Sequence, residues 1–198
     1  EAAEDPDVSI GELARVISTD TALSARLIKV VNSPLLRSRQ EITDLQMAVN
    51  RLGVVYTANL ATGLAMAQLF QATTDIIDQR MRAVWARSTE VAGISHVLCK
   101  HYTRLKSDQA TLAGLVHLIG VLPILSYAEE NSELLQDSVT LDLIIERIHP
   151  LIGDRILAAW EFPQPLRRIP SEHLDFQRQP ESVDYADIVQ VAMLQSIA

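Results

Sequence analysis

ISTDTALSARLIKVVNSPLLRSRQEITDLQMAVNRLGVVYTANLATGLAM, residues 17–66, is written in helical rather than strand periodicity. Asp20 stands where a carboxylate can accept the free amides of a helix start, and Leu23, Leu27, Val30 and Val31 then fall on one face. Asn32-Ser33-Pro34 stops that helix, because proline lacks the amide hydrogen and its ring clashes with the preceding turn. Thr43 and Gln46 have capping-box spacing ahead of a second stripe, Leu45, Ala48, Val49 and Leu52, and Gly53 suits the left-handed position that ends helices. Residues 54–70 are almost all apolar or small, the composition of a helix surrounded on most sides.

The same grammar extends both ways. Upstream, Ser9 and Glu12 form a capping-box pair before Leu13, Val16 and Ile17. Downstream, Asp75 opens a segment reaching about Tyr102, with Ile76, Met81, Val84, Val91, Ile94 and Leu98 at helical spacing. Ser107 or Asp108 is expected to cap the buried run 112–128, read as one core helix. Thr140 is expected to begin a helix ending near His149, with Pro150 in the first turn of another that carries Ile152, Ile156, Leu157 and Trp160. No strand alternation, glycine turn or repeat appears, which predicts an all-α chain of about nine or ten helices in two packed lobes. The polar gap 71–75 sets those lobes at about 1–72 and 73–198 of a single domain, and both chain ends read as cuts from a longer protein.

Composition limits function. The 198 residues are 48% hydrophobic, enough for a substantial core, and 25 Asp and Glu against 17 Lys and Arg give a net charge of −8. That sign disfavours bulk nucleic-acid or anionic-membrane binding, and Arg37, Arg39 and Arg51 beside Glu41 and Asp44 read as a solvated face. The single cysteine, Cys99, lies in an apolar helical stretch, so it reads as a small buried hydrophobe in a reducing compartment, with the cytoplasm as the expected location. The most apolar run is interrupted by His117, Gly120 and Pro123 and falls short of the roughly 20 uninterrupted residues that span a bilayer.

Taken in order, Asp20 with Leu23, Asn32-Ser33, Ile42 with Ala48, Leu52-Gly53, then AVWARSTEVA (83–92), LAGLVHLIGVLPIL (112–125) and ERIHPLIGDRILAAWEFP (146–163) resemble the HDOD family, named for HD-related output domains. The resemblance runs from about Val8 through nearly the whole chain. It implies a compact multi-helix bundle of the HD-superfamily kind and a bacterial role in two-component and cyclic-dinucleotide signalling.

HD phosphohydrolases hold a divalent metal with a histidine, a His-Asp pair and a later aspartate; neutral imidazole and carboxylate bind the ion, which acidifies its water. The resemblance implies that the first of these positions is Arg87 here, a permanent cation, and that the paired position is His117-Leu118, with hydrocarbon in place of the carboxylate. Asp187 aligns with the final aspartate, and His149 and His173 with positions where relatives carry histidines. Each histidine also has a structural reading: His117 as a hydrogen-bonded core residue, His149 as a helix cap beside Pro150, His173 as a loop residue. No glycine-rich phosphate loop, G-x-S-x-G or H-E-x-x-H offers other chemistry.

The expectation is therefore a non-enzymatic regulatory module without metal or cofactor, acting on other signalling proteins or on domains of its own chain. A residual phosphohydrolase using His117, His149, His173 and Asp187, and a small-ligand sensor with an anion on Arg87, are the alternatives. A docking loop is expected at Asn32, Ser33, Leu35, Leu36 and Arg37, where adjacent leucines are unusual for a loop tip, although Asn-Ser-Pro also has a purely structural account.

Overall fold

A computed structural model describes residues 9–32, 41–68 and 72–196, and among them there is no strand. The described residues form eleven α-helices and one 3-10 turn, nine of the helices having eight or more residues. Contacts divide the chain into Glu1–Met66 and Ala67–Ala198.

In the first unit, α1 (Ile10–Ser18), α2 (Thr21–Val31) and α3 (Leu45–Leu52) pack on one another, and α4 (Val54–Gln68) follows directly on Gly53. Each short helix starts on a side chain. Ser9 Oγ accepts the Glu12 amide at 3.2 Å and Asp20 Oδ1 the Leu23 amide at 2.9 Å. The third cap is Asp44 and not Thr43: Asp44, in extended backbone, accepts the Met47 amide at 2.7 Å, three residues on, while the Thr43 hydroxyl turns to Met47 Sδ. Gly53 takes φ of 85°, where a side chain would be strained, and so lets α4 start at once. The apolar stripes are buried as their spacing requires, with Leu13, Ile17, Leu27, Val31, Ala48 and Val49 at 4% exposure or less.

Asn32 closes the segment between α2 and α3. Its Nδ2 donates to the Ile42 carbonyl at 2.7 Å and its Oδ1 accepts the Ile42 amide at 3.0 Å, so one side chain satisfies both polar groups of a buried residue's backbone. This is a structural task for one member of the expected docking loop; Ser33, Leu35, Leu36 and Arg37, and likewise Arg39, lie outside the described residues.

The second unit is built on a hairpin of α5 (Asp75–Tyr102) and α6 (Ser107–Val116). His96 meets the Ser107 carbonyl and Thr111 Oγ1, whereas Ala92, one turn earlier, abuts Gly114, so the two helices run antiparallel. The approach is that of bare backbones: a Cβ on Gly114 would lie 2.4 Å from Ala92 Cα. Cys99 is fully buried on the same helix. After α7 (Val121–Glu130) and α8 (Ser132–Gln136) come the long α9 (Ser138–Ala159), the 3-10 turn Gln164–Leu166, α10 (Ile169–Glu172) and α11 (Tyr185–Gln195), which packs on both α5 and α6.

Three expectations are corrected here. The run 112–128 is two helices, broken by a turn at 117–120, because the ring of Pro123 would strike the carbonyl of Ile119 in a continuous helix. Ser107 is the first residue of α6 and neither it nor Asp108 caps it; the cap position is Lys106, without a side-chain bond. Pro150 does not separate two helices but lies inside α9. There Leu141, His149, Gly153 and Leu157, at multiples of four residues, are all buried, and burial of one continuous face outweighs the lost backbone bond and ring clash of an interior proline, together about 3 kcal/mol.

The tightest crossing joins the 117–120 turn to α9. A Cβ on Gly120 would lie 2.0 Å from the His149 carbonyl oxygen and 2.6 Å from the Gly153 nitrogen, and a Cβ on Gly153 would lie 2.5 Å from Pro170 Cβ. Gly120 has an ordinary φ of −69°, so contact, not conformation, requires glycine. Gly120→Ala should therefore cost about 3 kcal/mol or more in chemical denaturation, since backbone must move. Asn32→Ala should cost about 1–3 kcal/mol by exposing an unmade pair at Ile42, and a melting temperature equal to that of the parent would contradict the clamp.

Candidate functional site: a buried histidine cluster

The glycine crossings decide where three histidines go. His117 ends α6 at the turn before Gly120, His149 lies on α9 one turn before Gly153, and His173 ends α10, whose Pro170 abuts Gly153. Their rings come together: the His117 and His173 centroids are 5.1 Å apart, edge to face, and those of His149 and His173 are 5.9 Å apart. All three are buried, at 0%, 5% and 0% exposure for His117, His149 and His173.

Two of the tautomers follow from the backbone. His117 Nδ1 lies 2.6 Å from the Gly114 carbonyl and His173 Nδ1 lies 2.8 Å from the Ile169 carbonyl. A carbonyl only accepts, so both Nδ1 atoms carry hydrogen, and in the neutral ring Nε2 is then a bare lone pair. Neither Nε2 has a hydrogen-bond partner among the described residues, nor does His149 Nδ1. Burial favours the neutral ring. It pushes His117 down to about 3 and His149 to about 4, with the neighbouring His173 adding to both shifts, and burial likewise lowers His173.

Arg87 belongs to this neighbourhood. With Ala92 opposite Gly114 in an antiparallel pair, the turn of α5 containing Arg87 and the buried Ser88 faces the turn at His117 and Leu118. The guanidinium charge bears on both His117 and His173, lowering each. Leu118 is half-buried in the 117–120 turn.

Asp187 is engaged elsewhere. It is the third residue of α11, where its Oδ2 accepts the Asp184 amide at 3.0 Å and its Oδ1 accepts Arg178 Nη1 at 3.0 Å. Arg178 also binds Asp184 and, at 3.4 Å, Glu172. The other nearby carboxylate of α9, Asp154, accepts the amide and hydroxyl of Ser171 at 3.1 and 2.6 Å and so ties α10 to α9. The site thus unites Arg87, His117, His149 and His173, with Leu118 at its edge, while Asp187 serves the start of α11.

A divalent ion of the kind that hydrolyses phosphoesters does not fit this donor set. The Nε2 lone pairs of His117 and His173 are unpartnered, but among the described residues no group of three or more His, Cys, Asp or Glu side chains converges to hold a metal. The charge that bears on the His117 and His173 rings is that of a fixed cation, Arg87.

The sequence reading missed Gly114, Gly120, Gly153 and Arg178. Glycines inside otherwise apolar helical runs were the available signal for the first three, and His-Leu-Ile-Gly at 117–120 beside His-Pro-Leu-Ile-Gly at 149–153 marks the crossing twice.

The native rings bind fewer protons than the unfolded chain between its ordinary histidine value of 6.5 and the native values near 3 and 4. Stability is thus complete above about pH 6.5 and falls as pH drops below it, by up to about 1.4 kcal/mol per pH unit for each histidine. Denaturation at pH 7 and pH 5 should show this loss, and His117→Gln, which cannot titrate, should reduce it; equal stability at both pH values would contradict neutral burial.

The model of the HDOD domain matches residues 1–176. A proposed metal-dependent phosphohydrolase from Shewanella amazonensis SB2B is 32% identical with a TM-score of 0.81, covering 98% of this chain and 71% of that one. A proposed signal transduction protein from Marinobacter aquaeolei VT8 shares the fold at 20% identity and a TM-score of 0.66, over 96% of this chain and 45% of its own. An uncharacterized Treponema pallidum protein is 27% identical over 194 residues, 91% of this chain. This chain spans 36% of that protein's length.

Proposed function

The chain belongs to the HDOD domain family, and we propose that it is a non-catalytic, cytoplasmic signal-transduction module acting through contacts with other signalling proteins or with further domains of its own chain. The observation that carries this reading is the donor set of the buried site. Three neutral imidazoles come together, two of them in the field of the Arg87 guanidinium, and the carboxylates that phosphoester hydrolysis would need are absent at Leu118 or engaged at Asp187. A metal lowers the pKa of its bound water and neutralises phosphate charge; a guanidinium has no lone pair to donate and cannot generate hydroxide. The name of the Marinobacter protein, signal transduction, agrees with this reading.

The phosphohydrolase reading has one specific observation in its favour, the unpartnered Nε2 lone pairs of His117 and His173, together with the name of the Shewanella protein. The two readings separate by elemental analysis after purification without chelator, paired with hydrolysis of cyclic dinucleotides and a model phosphodiester in added manganese. The expected result is far less than one metal per chain and no turnover above the protein-free rate. About one tightly held metal per chain, with turnover lost in His117→Ala, would replace the signalling module by an enzyme.

A further inference from the structure

The turn that joins α5 to α6 carries a charge opposite to that of the chain. Residues 100–106, Lys-His-Tyr-Thr-Arg-Leu-Lys, hold three of the 17 Lys and Arg and no Asp or Glu, in a chain of net charge −8. Lys100, His101, Arg104 and Lys106 are all exposed, and none is in an ion pair among the described residues, whereas Arg80, Arg82, Arg168 and Arg178 of the same unit are each paired. α11 reaches the turn through Tyr185, but the carboxylates at its start, Asp184 and Asp187, are joined to Arg178. Asp108, in the first turn of α6, forms no ion pair among the described residues. Lys100 and His101 complement the negative end of α5, an effect confined to the last turn; Arg104 and Lys106 lie past the C-cap Thr103 and have no such task. Hydrogen bonds fix the frame that bears these cations. The Thr103 amide and hydroxyl donate to the Cys99 carbonyl at 3.2 and 2.9 Å, the Leu105 amide to Thr103 Oγ1 at 3.2 Å, and the Lys106 amide to the Tyr185 hydroxyl at 3.2 Å. Beside the cations, Tyr102 is 81% and Val97 46% exposed, and Val97, Lys100 and His101 share one face of α5 by their spacing of three and four residues.

We propose that this turn is a docking surface for an acidic segment of a partner protein, with Lys100, Arg104 and Lys106 meeting its carboxylates and Tyr102 and Val97 an apolar residue among them. The proposal rests on the signalling-module reading above and deepens it by naming a surface and the chemistry of what binds there. Charge complementarity selects the partner. An acidic segment is repelled by the rest of a chain of net charge −8 and is drawn to a stretch of opposite sign, which orients it as well as attracting it. Exposed ion pairs are individually weak, so an exposed aromatic ring beside them adds the apolar contact that interfaces favour. A nucleic-acid backbone fits less well, because its affinity grows with the number of phosphates neutralised and the turn offers three fixed cations.

The test is fluorescence anisotropy with a labelled peptide of Asp and Glu flanking one Phe, at low and at high salt, on the parent and on variants of matched melting temperature. The parent should bind, and more weakly at high salt. The triple reversal Lys100→Glu, Arg104→Glu and Lys106→Glu should weaken binding by about tenfold or more, and the triple change of the same residues to Gln by less. Tyr102→Ala should also weaken it. Arg147→Glu with Arg155→Glu, which reverses two exposed cations of α9, should leave binding as in the parent. No binding by the parent would overturn the proposal, as would binding unchanged in the reversal or in Tyr102→Ala, or an equal loss in the α9 control. If the reversal does not fold, the Gln variant decides, and unchanged binding there overturns the proposal equally. Duplex DNA or phosphatidylserine vesicles bound more tightly than the peptide through the same residues would overturn it in favour of that partner. Metal retention and phosphodiester hydrolysis by the parent would instead refute the non-catalytic reading and leave peptide binding as measured, so the two failures are distinct.

Discussion

Three close helix crossings, each with a glycine on one side, hold the second unit in its observed form. Gly114 against Ala92 and Gly120 against His149 and Gly153 bring backbones nearer than any Cβ would permit, and Gly153 admits the ring of Pro170 just as closely. Protein interiors are close-packed and deform little, so these contacts fix the axial positions of α5, α6, α9 and α10 relative to one another. The histidines are carried with them, His117 three residues before Gly120 and His149 four before Gly153. A cluster of buried imidazoles is thus a consequence of where glycine allows helices to touch.

That placement has an energetic cost, which the chain limits by keeping the rings neutral. Backbone carbonyls of Gly114 and Ile169 take the Nδ1 hydrogens, satisfying one side of each ring. The opposite nitrogens have no partner among the described residues. Around the cluster, charged groups are paired away from it: Arg178 gathers Asp184, Asp187 and Glu172, and Asp154 caps α10 through Ser171.

The chain has the helical scaffold of the HDOD family, and on it three buried histidines come together near Arg87. The fold alone does not specify activity, because function resides in the side chains placed upon it. A 32% identical Shewanella protein with the same architecture shows how far the scaffold is shared.

The helices were legible in the sequence because their causes are local. Asp20 and Ser9 cap where side-chain oxygens three residues ahead of an amide must cap, and the stripes of Leu13, Leu27, Val31, Ala48 and Val49 bury as their period demands. Ordered motifs likewise carried the family and the identities of Arg87, His117, His149 and His173. Other features depended on distant residues. Whether Pro150 breaks a helix depends on the burial available to the face of Leu141, Gly153 and Leu157, and whether Pro123 does depends on the turn that Gly120 can make against α9. Asp187 matched a ligand position in sequence, yet Arg178, nine residues away, holds it at the start of α11. Spacing along the chain determines which side chains share a helix face, but which faces meet, and which charges find one another first, is decided by packing in three dimensions.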